Sequence, residues 1–363
     1  MMMKSLKSIE KMAPNVTSTQ TGVLFEEDTL EESAPAQPSK TKYEIRIVWR
    51  NVINFTFFHL GALYGLYLVL TSAKLLTTIF AFFLYIGSFL GITAGAHRLW
   101  SHRSYKATWP LQLLLMILNT IAYEDAAMDW ARDHRVHHKY SETNADPHNA
   151  KRGFFFSHIG WLLCRKHPDL IEKGKGIDIS DLKNNSILTF QKRYYRILMP
   201  LLCFIMPTVV PVAYWGESWT NAFFVSGLLR YIITVNCTWL INSVAHLIGN
   251  RPYDRNINPS ENKMVSMLAA GEGWHNYHHV FPWDYKAAEL GDYKYNITTG
   301  FIDLCAMLGL AYDLKVVPKH SVQKRVQRTG DGSHDVWGWG DKDQTQEDRD
   351  QTVVMHSQNK DRQ

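Results

Sequence analysis

Residues 49–96 read WRNVINFTFFHLGALYGLYLVL, TSAK, LLTTIFAFFLYIGSFLGITAGA, two apolar runs (Trp49 to Leu70 and Leu75 to Ala96) joined by Thr71 to Lys74. Each run is long enough to cross the hydrocarbon core of a bilayer as a helix, and so short a connection makes them an antiparallel hairpin. Further along, the pattern recurs: Ile197 to Trp215 and Asn221 to Ala245 flank the short stretch Gly216 to Thr220. The expected fold is an all-α integral membrane protein with four transmembrane helices in two hairpins, at about 49–70, 75–96, 197–215 and 221–245. Pro200, Pro207 and Pro211 should bend the third span, and Arg230, inside the fourth, should snorkel or face a polar interior.

Charge sets the orientation. Sixteen Lys or Arg lie between His97 and Arg196, whereas the two hairpin turns carry only Lys74. The positive-inside rule then puts both tails and the middle segment in the cytosol. Residues 1–42 are rich in Ser, Thr, Pro and Glu and lack an apolar core segment, so they read as a disordered tail without a signal peptide. The membrane domain with its cytosolic cap is expected over 43–320, followed by a polar cytosolic tail over 321–363. The formal charge of +5 is spread along the chain, so nucleic acid is not implied, and membrane lipid remains a partner. Four cysteines without a CxxC pair favour neither a disulfide scaffold nor a thiolate metal site.

Leu111 to Ala122 is apolar but too short to span, and Glu124, Asp125 and Asp129 follow it at once. It suits an interfacial or buried helix. A crossing here would also put the histidines before and after it on opposite sides of the membrane. Eight of the sixteen histidines form three groups: His97 and His102; His134, His137 and His138; His275, His278 and His279. The two triplets share the spacing i, i+3, i+4, which places three imidazoles on one helical face. A single histidine near a membrane boundary is more often a packing residue, but two identical triplets on one side of the membrane point to metal. With His246 the nine candidates exceed what one ion can take, so two metals are the natural count. Imidazole suits several elements and leaves the metal open.

The blocks His97-Arg-Leu-Trp-Ser-His102, Trp130-Ala-Arg-Asp-His-Arg-Val-His-His138 and Gly271-Glu-Gly-Trp-His-Asn-Tyr-His-His279 resemble the three histidine boxes of the stearoyl-CoA (Δ9 acyl-CoA) desaturases. The resemblance runs from about Trp49 to Gly340. Asp146-Pro-His, Gly153-Phe-Phe-Phe-Ser-His, Thr329-Gly-Asp-Gly-Ser-His and Trp337-Gly-Trp-Gly look like the insect branch. It implies that His97, His102, His134, His137, His138, His246, His275, His278 and His279 bind two Fe(2+) ions, with Asn242 holding a metal-bound water. It leaves His148, His158 and His167 structural. It also implies an acyl-CoA of C14 to C18, dioxygen, and electrons from cytochrome b5 reduced by NADH-cytochrome b5 reductase. No nucleotide-binding glycine fingerprint or fused haem domain is legible in the chain itself.

The acyl tail should lie in an apolar tunnel while the CoA head meets cations, for which Arg165 and Lys166 are the candidates. The resemblance adds Asn51, Trp130, Arg132 and Asp133 near CoA and pantetheine, and Thr238 and Trp239 at a bend of the tunnel. Two positions depart from it. Tyr123-Glu124 stands where Phe-Gln is usual, and Phe89 stands where a small residue commonly closes the tunnel. Other regiospecificities such as Δ11, a membrane fatty-acid hydroxylase, and a metal transporter are the rival readings. The clusters at the cytosolic ends of the spans weigh against transport, which needs ligands near mid-membrane.

Overall fold

The computed structural model describes residues 44–289, 292–334 and 346–352. The tail expected over 1–42 and the Trp337 to Gly340 block lie outside them. Among the described residues, four helices are long and apolar enough to cross a membrane: α1 (Trp49–Thr71), α2 (Leu75–Ser101), α5 (Ser186–Trp215) and α6 (Trp219–Leu247). Between α2 and α5 lie α3 (Trp109–Ala122) and α4 (Ala127–Tyr140), and after α6 come α7 (His275–Val280), α8 (Ile297–Met307) and α9 (Lys319–Thr329).

α1 and α6 match the expected spans closely, whereas α2 overruns by continuing to Ser101 and α5 by starting at Ser186 rather than at 197. Hydropathy ends where the apolar run ends, but a helix ends where its orphan N–H groups find a cap. For α5 that cap is Asn185, whose Oδ1 accepts from the N–H groups of Ile187 and Leu188. One turn on, buried Gln191 donates to Asn119 and Thr120 of α3, tying the extension to the cap.

The hairpin turns meet at one end of the bundle. The Lys74 N–H donates to Glu217 at 2.8 Å, and the Lys74 ammonium to the carbonyls of Trp215 and Gly216. Pro207 and Pro211 of α5 free carbonyls four residues upstream, and α6 supplies the donors. Pro207 frees the Cys203 carbonyl, which accepts from Arg230 Nη2 at 2.7 Å. Pro211 frees that of Pro207, which accepts from the Ser226 hydroxyl at 2.8 Å. Arg230 therefore faces inward, 2% exposed. It does not snorkel, and it also caps α3 through the Ile121 carbonyl at 2.9 Å.

Close backbone approach demands glycine at two crossings. A Cβ on Gly65 of α1 would lie 2.3 Å from the Phe224 carbonyl oxygen of α6, and one on Gly91 of α2 would lie 2.1 Å from the Asn119 nitrogen of α3. Such small-residue contacts are how membrane helices pack without a hydrophobic driving force. Helix α3 buries Leu111, Leu115 and Met116 and leaves Trp109, Leu113 and Leu114 exposed, the two-faced pattern of a helix lying along the cap. The cap has its own core, in which Trp100, Tyr105 and Leu115 pack with Met128, Leu188 and Ile302. Packing continues past residue 320, where the expected domain boundary falls inside α9. Val322 of that helix is buried with Tyr253, Tyr277, Phe281 and Val317.

Candidate metal centre

The first histidine pair is i, i+5, a spacing that sets two side chains about 140° apart on an α-helix. The chain solves this locally: Gly91–Ser101 is wound as a wider π-helix, and the His102 N–H donates to the His97 carbonyl at 3.1 Å, an i to i+5 bond. The two rings are thereby brought to 5.0 Å between centroids.

His134, His137 and His138 ride on α4, and His275, His278 and His279 on α7. Neither triplet serves a single group. His134 and His138 join His97, His102 and His278, while His137 joins His246, His275 and His279. Each helix thus sends two rings one way and one the other. Within each group the candidate nitrogens lie within 4.8 Å of one another, so each could hold a metal ion.

The donor set fits one. Two imidazole nitrogens on a shared ion at about 2.1 Å lie about 3.0–3.4 Å apart. Facing Nε2 atoms are 2.9 Å apart for His97 and His278, 2.9 Å for His102 and His134, 3.0 Å for His246 and His275, and 3.3 Å for His137 and His279. Three rings are oriented from behind: His97 Nδ1 meets Glu272 at 2.8 Å, His137 Nδ1 meets Asp146 at 2.9 Å, and His246 Nδ1 meets Glu142 at 2.9 Å. A carboxylate can only accept, so each of these rings carries its proton on Nδ1 and turns the Nε2 lone pair inward. The Nδ1 atoms of His275 and His278 are buried without a hydrogen-bond partner among the described residues, which leaves Nε2 as the productive atom of those rings.

Protonation agrees with this. Burial, reinforced by neighbouring imidazoles, holds His102, His134, His138, His275, His278 and His279 well below the ordinary imidazole value, in the neutral form a metal requires. Burial would raise the Glu272 carboxyl, but Arg98 and His97 outweigh it and bring it down to about 2. Glu142 and Asp146 are likewise held below the carboxylate range against burial, by His246 and His137 respectively.

A cavity of about 390 Å³ runs against both groups, lined by His97 and His134 on one side and His137 and His275 on the other. Of the residues expected at a substrate, Phe89, Glu124, Trp130, Asp133, Lys166, Thr238 and Trp239 line it, as do Asn51 and Asn242. Trp130 lies against the histidines rather than at a charged mouth, stacked on His134 with centroids 4.8 Å apart. Lys166 pairs with Asp133, and both border a second groove with Arg132, Lys175 and Lys183. Arg165 is exposed and is not among the lining residues of either. His148 stays outside the two groups of imidazoles but sits 3.6 Å from Asp146, and His158 bonds Ser243 and Asn236.

Glu124 sits between Tyr123 and Asp125, both at positive φ (54° and 76°), a strained backbone that turns its carboxyl to accept from the Thr238 hydroxyl at 2.8 Å. Burial lifts that carboxyl to about 8, against the hydrogen bonds from Thr238 and Trp130. The residues not anticipated from sequence are the backing carboxylates Glu142, Asp146 and Glu272 and the aromatic wall of Phe55, Phe58 and Tyr231. Asp146-Pro-His and Gly271-Glu-Gly were the only signals of the carboxylates.

Residues 73–290 match the family model described as fatty acid desaturase. Among characterised proteins, the chain is 62% identical over 353 residues to the acyl-CoA Delta-9 desaturase of Acheta domesticus, covering 94% of this chain and 98% of that one. It is 58% identical to the acyl-CoA Delta12-desaturase of the same species, over 94% of this chain and 98% of that one. It is 52% identical to the acyl-CoA Delta(11) desaturase of Trichoplusia ni, over 95% of this chain and 98% of that one.

Proposed function

The chain belongs to the fatty acid desaturase family and is an acyl-CoA desaturase, and from that premise we propose that it places a cis Δ9 double bond in a saturated C14 to C18 acyl-CoA. The observation that carries this reading is the pair of histidine groups opening onto one largely apolar cavity. The nine histidines would hold two Fe(2+) ions, with Asn242 holding a metal-bound water. Iron with dioxygen supplies the oxidising power that removing hydrogen from an unactivated methylene needs, and no side chain here could supply it.

The protein's own residues bind, bend and shield. Phe55, Phe58, Tyr231 and Val235 offer the acyl chain an apolar wall that excludes water. Glu124, Thr238 and Trp239 would hold the bend that presents one bond to the histidine groups, and Asn51 and Asp133 would meet the pantetheine. Lys166, with Arg132, Lys175 and Lys183 of the adjoining groove, would take the CoA phosphates, Arg165 contributing from the rim. We place the enzyme in the endoplasmic reticulum membrane with the cap in the cytosol, where cytochrome b5, reduced by its NADH-dependent reductase, would deliver electrons. The cationic middle segment supports that orientation.

Expression in a desaturase-deficient yeast, followed by mass-spectrometric location of double bonds, tests the regiochemistry. Δ9 products are expected. The similarity to Delta12 and Delta(11) enzymes makes bonds at those positions the result that would replace this reading.

Two further outcomes are expected at the cavity wall. Phe89 is 1% exposed, lines the cavity and packs edge-on against Tyr85 at 5.0 Å. Phe89→Ala should therefore lengthen the tunnel and shift products from sixteen carbons or fewer toward eighteen. An unchanged chain-length profile counts against Phe89 as the stop.

Glu124 is neutral below about pH 8 and tolerates methylenes beside it. As the pH rises through about 8 the charge appears in an apolar site, so the apparent KM for acyl-CoA should climb. Glu124→Gln should flatten that alkaline limb while keeping the Thr238 bond. An identical limb in the variant would assign the titration elsewhere.

A further inference from the structure

Building on the two-iron reading, we propose that the two ions are unequal, and that the one in the four-histidine group is the more electron-rich and gives up its electron first. The argument is a count of charges behind the rings. In the four-histidine group, Asp146 Oδ1 accepts from His137 Nδ1 and Glu142 Oε1 accepts from His246 Nδ1, both at 2.9 Å. Two of four imidazoles are thus backed by anions.

One loop after α4 delivers both carboxylates, and its hydrogen bonds show how they are held. Asp146 Oδ2 accepts the backbone N–H of Glu142 at 2.9 Å, and Oδ1 also accepts that of His148 at 3.1 Å. Glu142 Oε2 accepts the N–H of Lys151 at 3.0 Å. Glu142 itself has φ 62°, a conformation that side-chain-bearing residues seldom adopt, so the loop stores backbone strain to aim this carboxylate.

The five-histidine group is backed differently. Its carboxylate is Glu272, behind His97, and Glu272 also receives Arg98 Nη2 at 2.8 Å. With Arg98 counted against Glu272, the net formal charge among these described residues is two negative beside the four-histidine group and zero beside the other. A carboxylate behind an imidazole raises its donor strength, and net negative charge near an ion favours the state with one more positive charge. The fifth imidazole of the other group adds a neutral donor and no formal charge.

Protein loaded with Mössbauer-active ferrous iron and oxidised stepwise by ferricyanide without oxygen tests this, each equivalent taking one electron from one ion. One ferrous doublet should convert before the other. Glu142→Gln should perturb the early doublet alone, delay its conversion toward the later one, and make its iron about 10- to 100-fold easier to remove with a chelator. Glu272→Gln should perturb the late doublet alone. Asp146→Asn reads the same early site through His137 if Glu142→Gln does not accumulate. Doublets that convert together, or Glu142 and Glu272 variants that alter the same doublet, would overturn the inference. A chain that binds a single iron would overturn it together with the two-iron reading, so iron content tells the two failures apart.

Discussion

Glu272→Ala should destabilise the folded protein by about 3–5 kcal/mol and loosen iron from the five-histidine group. Arg98 is 1% exposed and donates to Glu272 through both Nε and Nη2, so the substitution strands a buried guanidinium. His97 loses, in the same step, the acceptor that fixes its tautomer. Thermal unfolding in detergent and iron content measure the two consequences separately. The double variant Arg98→Met with Glu272→Ala should recover most of the stability, because it removes the pair rather than one partner. It should not recover iron affinity, since His97 remains unbacked. Equal recovery of both would reduce Glu272 to a structural role.

The same pair predicts an acid limit. Glu272 is held at about 2 in the folded chain, below its ordinary value, so its contribution to stability is complete above the ordinary carboxylate range. That contribution fades as the pH falls toward about 2. In Glu272→Gln this part of the acid transition should vanish.

The other large effect is expected in the membrane. Arg230→Leu keeps the fourth span apolar and long enough to cross, and a hydropathy reading would favour it. The structure predicts a loss of about 3 kcal/mol or more, because the carbonyls of Cys203 and Ile121 would lose this donor while buried away from water. Leucine at 207 should partly rescue it: an α-helical N–H there can reclaim the Cys203 carbonyl. The reporters are yield of folded protein in detergent and its unfolding midpoint. A variant as stable as the parent would mean that those carbonyls find other donors.

These two cases also mark what the sequence could tell. The four spans were legible because a bilayer demands long apolar runs, and the apolar run of α3 was too short to be one of them. The proline-to-arginine pairing was not, since it joins residues of different helices. The histidine triplets announced metal through their spacing, yet the division of each triplet between two groups depends on how the tertiary fold places α4 and α7 against the other histidines. His97 and His102 carried a spacing that fits an α-helix poorly, and only the π-helical turn explains it. Glu142 looks like an ordinary acidic residue in the sequence, and Asp146-Pro-His and Gly271-Glu-Gly mark the other two only as parts of a motif. Their meaning comes from the imidazole nitrogen each one meets. Helix starts and ends in the cap were lost for a related reason, as Asn185 and Gln191 show: polar residues there hold helices through side-chain bonds that hydropathy cannot register.

The most direct measurement is anomalous scattering at the iron edge from crystals of the iron-loaded protein. Two peaks are predicted, one enclosed by His97, His102, His134, His138 and His278 and the other by His137, His246, His275 and His279. A single peak, or iron lying outside these rings, would contradict the account.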